Sequence, residues 1–527
     1  MIKNILLGTL LLAFVLQSCT KRYDEINTNP NLETVVSPEQ LFAPALVNIL
    51  SINMSRNYSF NNELMQVTVN MGDGDGKVFR YDIRTTWGTQ PWNNLYLQLT
   101  NLKNIYSIAD TSSRYKNDSY KGVSIILQSW VYSILTDTYG DIPYSESNLG
   151  RLEDGANRRP KFDKQKDIYM AIYDSLEVAN SILAQSTDTI TSNSDPVFKG
   201  DIAKWRKFGN ALYLRLLLRL SGKSEVAATV ISKFQNIVNN PVQYPVISSN
   251  SESAILRWSG SAVAAEPLSS PFNSMRVQDF RSPGLGEFFI GNLRNWNSPL
   301  IQTNAPHGTN SINRLGIAQG SNAWSGIPSG YSPGQDVSKS SYFFSSDQNT
   351  TNQVTTPRIN MQTEPLTGQM LNYAEVQFML AEAALKGWIT GGDSLYYNNG
   401  VLGYMQMWLP TSFTAAALTS GGVTGGGFLG DADISYLPHL SFDEKMDLIH
   451  LQKYYALLWC DMQQWIEYRR TGHPVLPKGP GLIQPGIMPA RLNYPVEVQS
   501  TNPTYYKEAV ASQGPDNINT QVWWQKP

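Results

Sequence analysis

KWRKFGNALYLRLLLRLSG, residues 204–222, holds the best apolar run of the body of the chain, and two arginines decide how it reads. With Ile202 ahead of it, Trp205, Phe208, Leu212 and Leu216 recur at three- and four-residue spacing, the period of one buried helix face. Arg215 and Arg219 interrupt the leucines, and a bilayer core needs about twenty apolar residues in a row. The stretch therefore reads as a helix packed inside a protein.

Outward from it the same period returns. Val123, Ile126, Leu127, Trp130, Ile134 and Leu135 form a stripe over residues 122–138. Ile168, Ile172, Leu176, Ala179 and Leu183 form another, with Asp167 near its start, where a negative charge suits the helix dipole. Leu371, Ala374, Phe378, Ala381, Leu385 and Trp388 form a fourth. Gly391-Gly392-Asp393 then separates it from a fifth helix over 394–408, and a sixth is expected over 442–470. Trp92 and Tyr96, four apart, open one more apolar helix, so core packing is expected of them, and Trp87 is the freer ring. Paired helices with short links and Ala, Leu, Tyr and Trp on their stripes read as tetratricopeptide-like hairpins, which bury their faces only by stacking on neighbours. The expected fold is mostly α.

Lys plus Arg is 41 and Asp plus Glu 43, a net charge of −2. This balance argues against a nucleic-acid binder, whose phosphate affinity comes from many unpaired Lys and Arg. Charged residues are 16 % of the chain, against about 25 % in an average domain, while aromatics reach 11 %. A surface of Asn, Gln, Ser, Thr and Tyr suits neutral polar ligands.

At the N-terminus, Lys3 precedes a twelve-residue apolar stretch over 5–16, too short to span a bilayer, and Leu16-Gln17-Ser18-Cys19 has the form of a lipobox. We expect cleavage before Cys19 and lipidation of its thiol, which anchors the chain in membrane lipid. An ordinary signal peptide with an incidental cysteine is the alternative. The other cysteine is Cys460, so no disulfide framework is implied. The expected organisation is a lipoprotein signal peptide over 1–18, a lipidated tether over 19–37 and one domain over 38–527. Within it lie a helical scaffold at 38–240, 367–409 and 439–472, a loop-rich insert at 241–366, and loop-rich stretches at 410–438 and 473–527. Loops on a rigid frame are where binding residues concentrate, and the insert carries Trp258, Trp296, Trp324, Tyr331, Tyr342, Phe343 and Phe344.

Catalytic patterns are thin. Gly330-Tyr331-Ser332-Pro333-Gly334 matches G-x-S-x-G, but Pro333 and its neighbours make a turn, not a strand-to-helix elbow. Residues 425–430, GGGFLG, read as a flexible loop without a preceding strand or a following helix. His307, His439, His450 and His473 lack metal-ligand spacing. Asp73-Gly74-Asp75-Gly76 is the metal candidate, for Ca²⁺, although the twelfth position of such a loop is Arg84 rather than an acid. A plain turn is the competing reading.

Asp24 to Asn31, DEINTNPN, after the lipobox resembles the start of the SusD/RagB-type nutrient-binding lipoproteins of Bacteroidetes outer membranes. LTDTYGDIPYSES (135–147), KWRKFGNALYLRLLLRLSG (204–222), LNYAEVQFMLAEAALKGW (371–388), WIEYRRTGHPVL (465–476), RLNYPVEVQ (491–499) and the end from Gln513-Gly514 to Trp523-Trp524 resemble its recurring blocks, in order. The chain looks closest to the SusD-like branch, and residues 276–354 depart most. The resemblance implies a cell-surface protein tethered through Cys19 that serves a SusC-type TonB-dependent transporter and binds oligosaccharide or, in some systems, oligopeptide. Trp258, Trp296, Trp324 and Tyr331, with Trp87, are the expected ligand-stacking rings. A surface glycosidase is the third possibility, since paired carboxylates need only spatial proximity.

Overall fold

In the computed structural model, residues 36–150, 158–301, 315–320, 323–339, 341–343, 361–483 and 486–526 are described. Cys19, the signal stretch, the tether up to residue 35, His307 and Phe344 lie outside them.

The first half is a run of antiparallel helices: α1 (Pro38–Arg56), α2 (Thr89–Thr111), α3 (Asp118–Tyr139), α4 (Gln165–Gln185), α5 (Ile202–Leu220) and α6 (Ala227–Asn239). Each packs on the next, α1 on α2 through α5 on α6. Local chemistry sets the ends. Asn117 caps α3 by accepting from the Tyr120 amide (2.9 Å), and Asp201 caps α5 by accepting from that of Lys204 (3.1 Å). Gly140 stops α3 at φ +87°, and a Cβ there would sit 1.7 Å from Oε1 of Gln513, so only glycine fits.

The scaffold resumes after the insert with α8 (Tyr373–Leu385), α9 (Asp393–Trp408), α10 (Phe442–Ala456) and α11 (Gln463–Thr471). The hairpin of α8 and α9 packs on α10, and α8 also reaches α5. The arginines of the opening stretch explain this join. Arg215 forms a two-pronged pair with Glu375 of α8, Nε to Oε1 and Nη2 to Oε2 at 2.6 Å each. Arg219 pairs with Asp137 of α3 and donates to Gln463 of α11 at 2.8 Å. Among the described residues no helix is long and apolar enough to cross a membrane.

The expected sixth helix is two helices. Between α10 and α11 the chain breaks, with Trp459 at φ +67° and Asp461 at φ +46°. The break turns Trp459 off the helix face onto Phe272 and Phe343 of the insert, centroids 5.6 Å away in each case. Nδ2 of Asn57 caps the freed carbonyl of Asp461 at 2.7 Å. Cys460, expected in a helix, lies in this break and is buried.

The insert is packed against the helices. It holds α7 (Glu287–Asn295) and contributes to three short antiparallel pairs: β1 (Thr68–Val69) with β3 (Gly284–Leu285), β2 (Ala254–Leu256) with β6 (Gly368–Leu371), and β4 (Ile317–Ala318) with β5 (Tyr342–Phe343). β1 comes from the scaffold, so the insert's sheet contacts stitch it to the helical half. Within residues 425–430, expected as flexible loop, a short helix begins, Gly427–Asp431. The Asp431 carboxylate accepts from the amides of Val423 and Thr424 at 2.7 Å each and fixes the preceding turn. The C-terminal stretch carries α12 (Pro503–Gln513), also unforeseen.

Candidate functional site

α1 runs into a single π-helical turn, Asn57–Asn61, and that turn shapes the site. The extra residue per turn re-aims side chains, and such turns concentrate where function needs it. Asn61 donates to Gln464 Oε1 at 2.7 Å and its Oδ1 accepts from the Trp465 amide at 3.2 Å, so the distortion is held from α11. Tyr58 is thereby carried toward the insert. Its ring stacks on Phe280 (5.3 Å, 12°), and its hydroxyl donates to the Phe280 carbonyl at 2.8 Å.

Tyr58 forms one wall of a cleft of about 340 Å³ between scaffold and insert. Trp87 lines it too, on the 3₁₀ turn Thr85–Gly88 that leads into α2. That turn is pinned from below: the Tyr139 hydroxyl donates to the Gly88 carbonyl at 2.5 Å, and a Cβ on Gly88 would lie 2.1 Å from the Asn493 carbonyl oxygen. Trp87 leans on Phe60 (5.2 Å) and stays half-buried, a ring held in place with surface to offer. Glu63, Asn70, Lys77 and Asp279 supply the polar lining.

These charges are mostly spent within the protein. Lys77 Nζ donates to the carbonyls of Asn70 (3.1 Å) and Met71 (3.0 Å). Arg276 grips both oxygens of Asp279 at 2.8 and 3.0 Å, and this hydrogen bonding holds the Asp279 carboxyl below its usual range. Burial pushes Glu63 up from 4.5 to about 7, opposed by the Phe79 amide that donates to it at 3.3 Å. What remains is a cleft walled by Tyr58 and Trp87 whose charged groups are already hydrogen-bonded within the protein, which suits a neutral ligand rich in hydroxyls.

Glu63 makes stability pH-dependent. Its carboxyl is protonated in both states below about 4.5, and between there and about 7 the folded chain alone keeps the proton, so this contribution falls as pH rises through that window. His450 acts the other way: burial lowers it from 6.5 to about 3, so the unfolded chain binds its proton first and stability rises with pH over that range. We therefore expect the difference between wild-type and Glu63→Gln unfolding free energies to shrink by up to about 3 kcal/mol from pH 4.5 to 7. Denaturant titrations at several pH values measure it, and a pH-independent difference would refute it.

The other four rings are placed differently from expectation. Trp258, Trp296, Trp324 and Tyr331 are all buried. Nε1 of Trp258 sits 3.1 Å from Met54 Sδ, and Trp296 packs edge-on against Tyr455 at 4.9 Å. Trp324 lies in the main core, and its carbonyl accepts from Arg294 at 2.8 Å. Tyr331 stacks on Phe79 (5.2 Å) with Arg80 4.8 Å from its ring centre, and its hydroxyl accepts from the Gly72 amide at 3.0 Å. These rings build the insert and leave Trp87 as the expected ring that borders the cleft. Tyr58 and Glu63 escaped the sequence reading because they lie on none of its apolar stripes and Tyr58 is aimed by a π-helical turn. The recurrence of Asn53, Asn57 and Asn61 at four-residue spacing, amides on a buried face, was the available signal.

Asp73 and Asp75 sit on an exposed turn. Asp73 faces Arg80 at 3.5 Å, and Arg84 donates to the Asp75 carbonyl at 3.2 Å, so arginines stand where a Ca²⁺ loop would place acids. Among the described residues, Glu382, His450 and Glu467 form the one grouping of ligand-type side chains. Arg470, Lys386 and Lys453 already pair with its two carboxylates, which leaves a divalent cation no unbalanced charge to bind. The G-x-S-x-G match at 330–334 is a turn, with Gly330 at φ +69° and Gly334 at φ +79°.

The family model described as "SusD-like_2: Starch-binding associating with outer membrane" matches residues 30–495. The chain belongs to the SusD-like family. Solved SusD-like structures share the fold. A chitin-binding SusD homologue from Flavobacterium johnsoniae superposes with a TM-score of 0.70 at 19 % identity, covering 93 % of this chain and 98 % of its own. A SusD homologue from Bacteroides fragilis gives 0.68 at 22 %, covering 93 % and 99 %, and one from Bacteroides vulgatus gives 0.68 at 20 %, covering 92 % and 98 %. Among curated proteins, none matches by sequence. The mostly helical, tetratricopeptide-like architecture expected from the sequence is the SusD-like fold.

Proposed function

We propose that this SusD-like protein captures a neutral oligosaccharide in the Trp87 cleft and passes it to a SusC-type TonB-dependent transporter in the outer membrane. The observation that carries the reading is a half-buried tryptophan set in a cleft with Tyr58, where Lys77 and Asp279 are already partnered and Glu63 is largely uncharged up to about pH 7. Indole faces lie against sugar C–H groups while amides and hydroxyls take the sugar hydroxyls. The family description names starch and the outer membrane, and two structural relatives are named for chitin. Few rings imply weak capture, roughly −4 to −8 kcal/mol. Weak capture suffices when the acceptor is held on the same membrane, because the second encounter is effectively intramolecular.

The anchor belongs to the same proposal. Several acyl chains on Cys19 would hold the protein at the membrane, at ~0.8 kcal/mol per buried CH₂. Cys19→Ala should move the protein from the outer-membrane fraction to the soluble fraction, as read by fractionation and immunoblotting. Retention of the variant in the membrane would contradict lipid anchoring.

Calorimetric titration of the purified protein with neutral oligosaccharides and with oligopeptides tests the ligand class. Sugar binding without peptide binding is expected, and the reverse would assign the peptide alternative. One observation favours hydrolysis as a second reading: Glu63, protonated up to about pH 7, and ionised Asp279 line the same cleft. Product analysis after incubation with the sugars separates the two, since turnover abolished by Glu63→Gln would establish a glycosidase.

A further inference from the structure

A second cleft, sharing no residue with the first, crosses the outer face of α2, α3 and α4 and encloses about 360 Å³. Tyr106 of α2, Tyr132 of α3 and Tyr144 just beyond α3 give it three phenol rings, and Gln128, Ser129 and Asp174 supply polar atoms. We propose that this groove is a second carbohydrate site, taking a neutral pyranose ring against Tyr106 and Tyr144.

The wall is fixed before any ligand arrives. Tyr144 meets Tyr132 edge-on at 4.6 Å, and the Tyr132 hydroxyl is hydrogen-bonded to Oγ of Ser147. Lys103 donates to the Ser147 carbonyl at 2.7 Å, and Asp163 accepts from the Tyr144 amide at 3.1 Å, so the turn carrying Tyr144 is tied from two sides. A rigid ring loses little freedom on binding.

The polar groups have capacity left. Gln128 uses its Nε2 on Ser124 Oγ at 3.1 Å, and its Oε1 accepts no bond among the described residues. Asp174 is exposed and forms no ion pair among the described residues, so both its oxygens can accept from a vicinal diol. Asp174 is the one charged residue among those lining the groove. Lys121, 5.9 Å from the Tyr106 ring centre, is paired with Asp110 at 2.6 Å, and Lys103, 5.7 Å from the Tyr132 ring centre, is held by Ser147. The carboxylate facing the ligand therefore disfavours uronates and phosphosugars. Aromatic walls beside an amide, the combination of the Trp87 cleft, recur here on another face, with Asp174 added as a free carboxylate acceptor. This site goes beyond the proposed function and stands or falls independently of it.

Full-length Trp87→Ala protein labelled with 3-fluorotyrosine, its Tyr106, Tyr132 and Tyr144 signals assigned by single Tyr→Phe variants, provides the test. Titration with methyl α-glucopyranoside, maltotetraose and triacetylchitotriose, followed by ¹⁹F NMR, should shift those signals saturably. Adding Gln128→Ala and Asp174→Asn should weaken that response by about tenfold or more, the equivalent of ~1.4 kcal/mol. Absence of a saturable shift at these tyrosines with all three sugars would overturn the proposal, whatever the Trp87 cleft binds. A response undiminished by the added substitutions would overturn it equally.

Discussion

Asp137→Ala should destabilise the protein by about 3–5 kcal/mol, because it leaves a buried charge unpaired. Asp137 is buried on α3, where Oδ2 receives Arg219 of α5 and Oδ1 receives the Tyr169 hydroxyl of α4 and Nε1 of Trp524 near the C-terminus (2.9 Å). Its backbone carbonyl also accepts from Arg469 of α11 at 2.7 Å. One residue thus joins three consecutive hairpin helices to the chain end. Truncation strands a guanidinium, a phenol and an indole N–H in the interior at once, each carrying its own desolvation cost. Replacing both charges, Asp137→Leu with Arg219→Met, should recover much of the loss, because no unpaired ion then remains. Denaturant unfolding of the three proteins measures this, and a loss below about 1 kcal/mol for Asp137→Ala would refute the role.

Trp87→Ala should weaken oligosaccharide binding roughly ten- to hundredfold, the equivalent of ~1.5–3 kcal/mol for apolar area covered by the ligand. The fold should tolerate the change. Trp87 is only half-buried and, among the described residues, makes its one ring contact with Phe60, while the turn that carries it is held by Gly88 and Tyr139. A melting temperature close to wild type together with lost affinity is therefore expected, read by calorimetry and thermal unfolding. Collapse of stability with unchanged affinity per folded molecule would make Trp87 a packing residue.

The helical half was legible because its apolar spacing is local. Trp205, Phe208, Leu212 and Leu216 announce α5 wherever it packs, and Arg215 and Arg219 rule out lipid as its surroundings. What they pair with was not legible, since Glu375 and Asp137 lie 160 and 82 residues away. The break at Trp459 was hidden for the same reason: its cause is a pocket between Phe272 and Phe343, not a breaker residue in the sequence. The insert misled most. Gly, Pro and Ser around Trp258, Trp296 and Trp324 suggest exposure, yet Trp258 is covered by Met54, 204 residues distant, and Trp296 by Tyr455. Trp87 stood out because it precedes a helix rather than lying on its stripe. Tyr58 could not, because a π-turn is invisible to a 3.6-residue period.

A crystal structure of the protein soaked with the tightest-binding neutral oligosaccharide of the calorimetric series tests the central claim most directly. We predict a sugar ring against Trp87, within reach of Tyr58 and Asn70. An empty Trp87 cleft in a crystal whose sugar is bound elsewhere would contradict it.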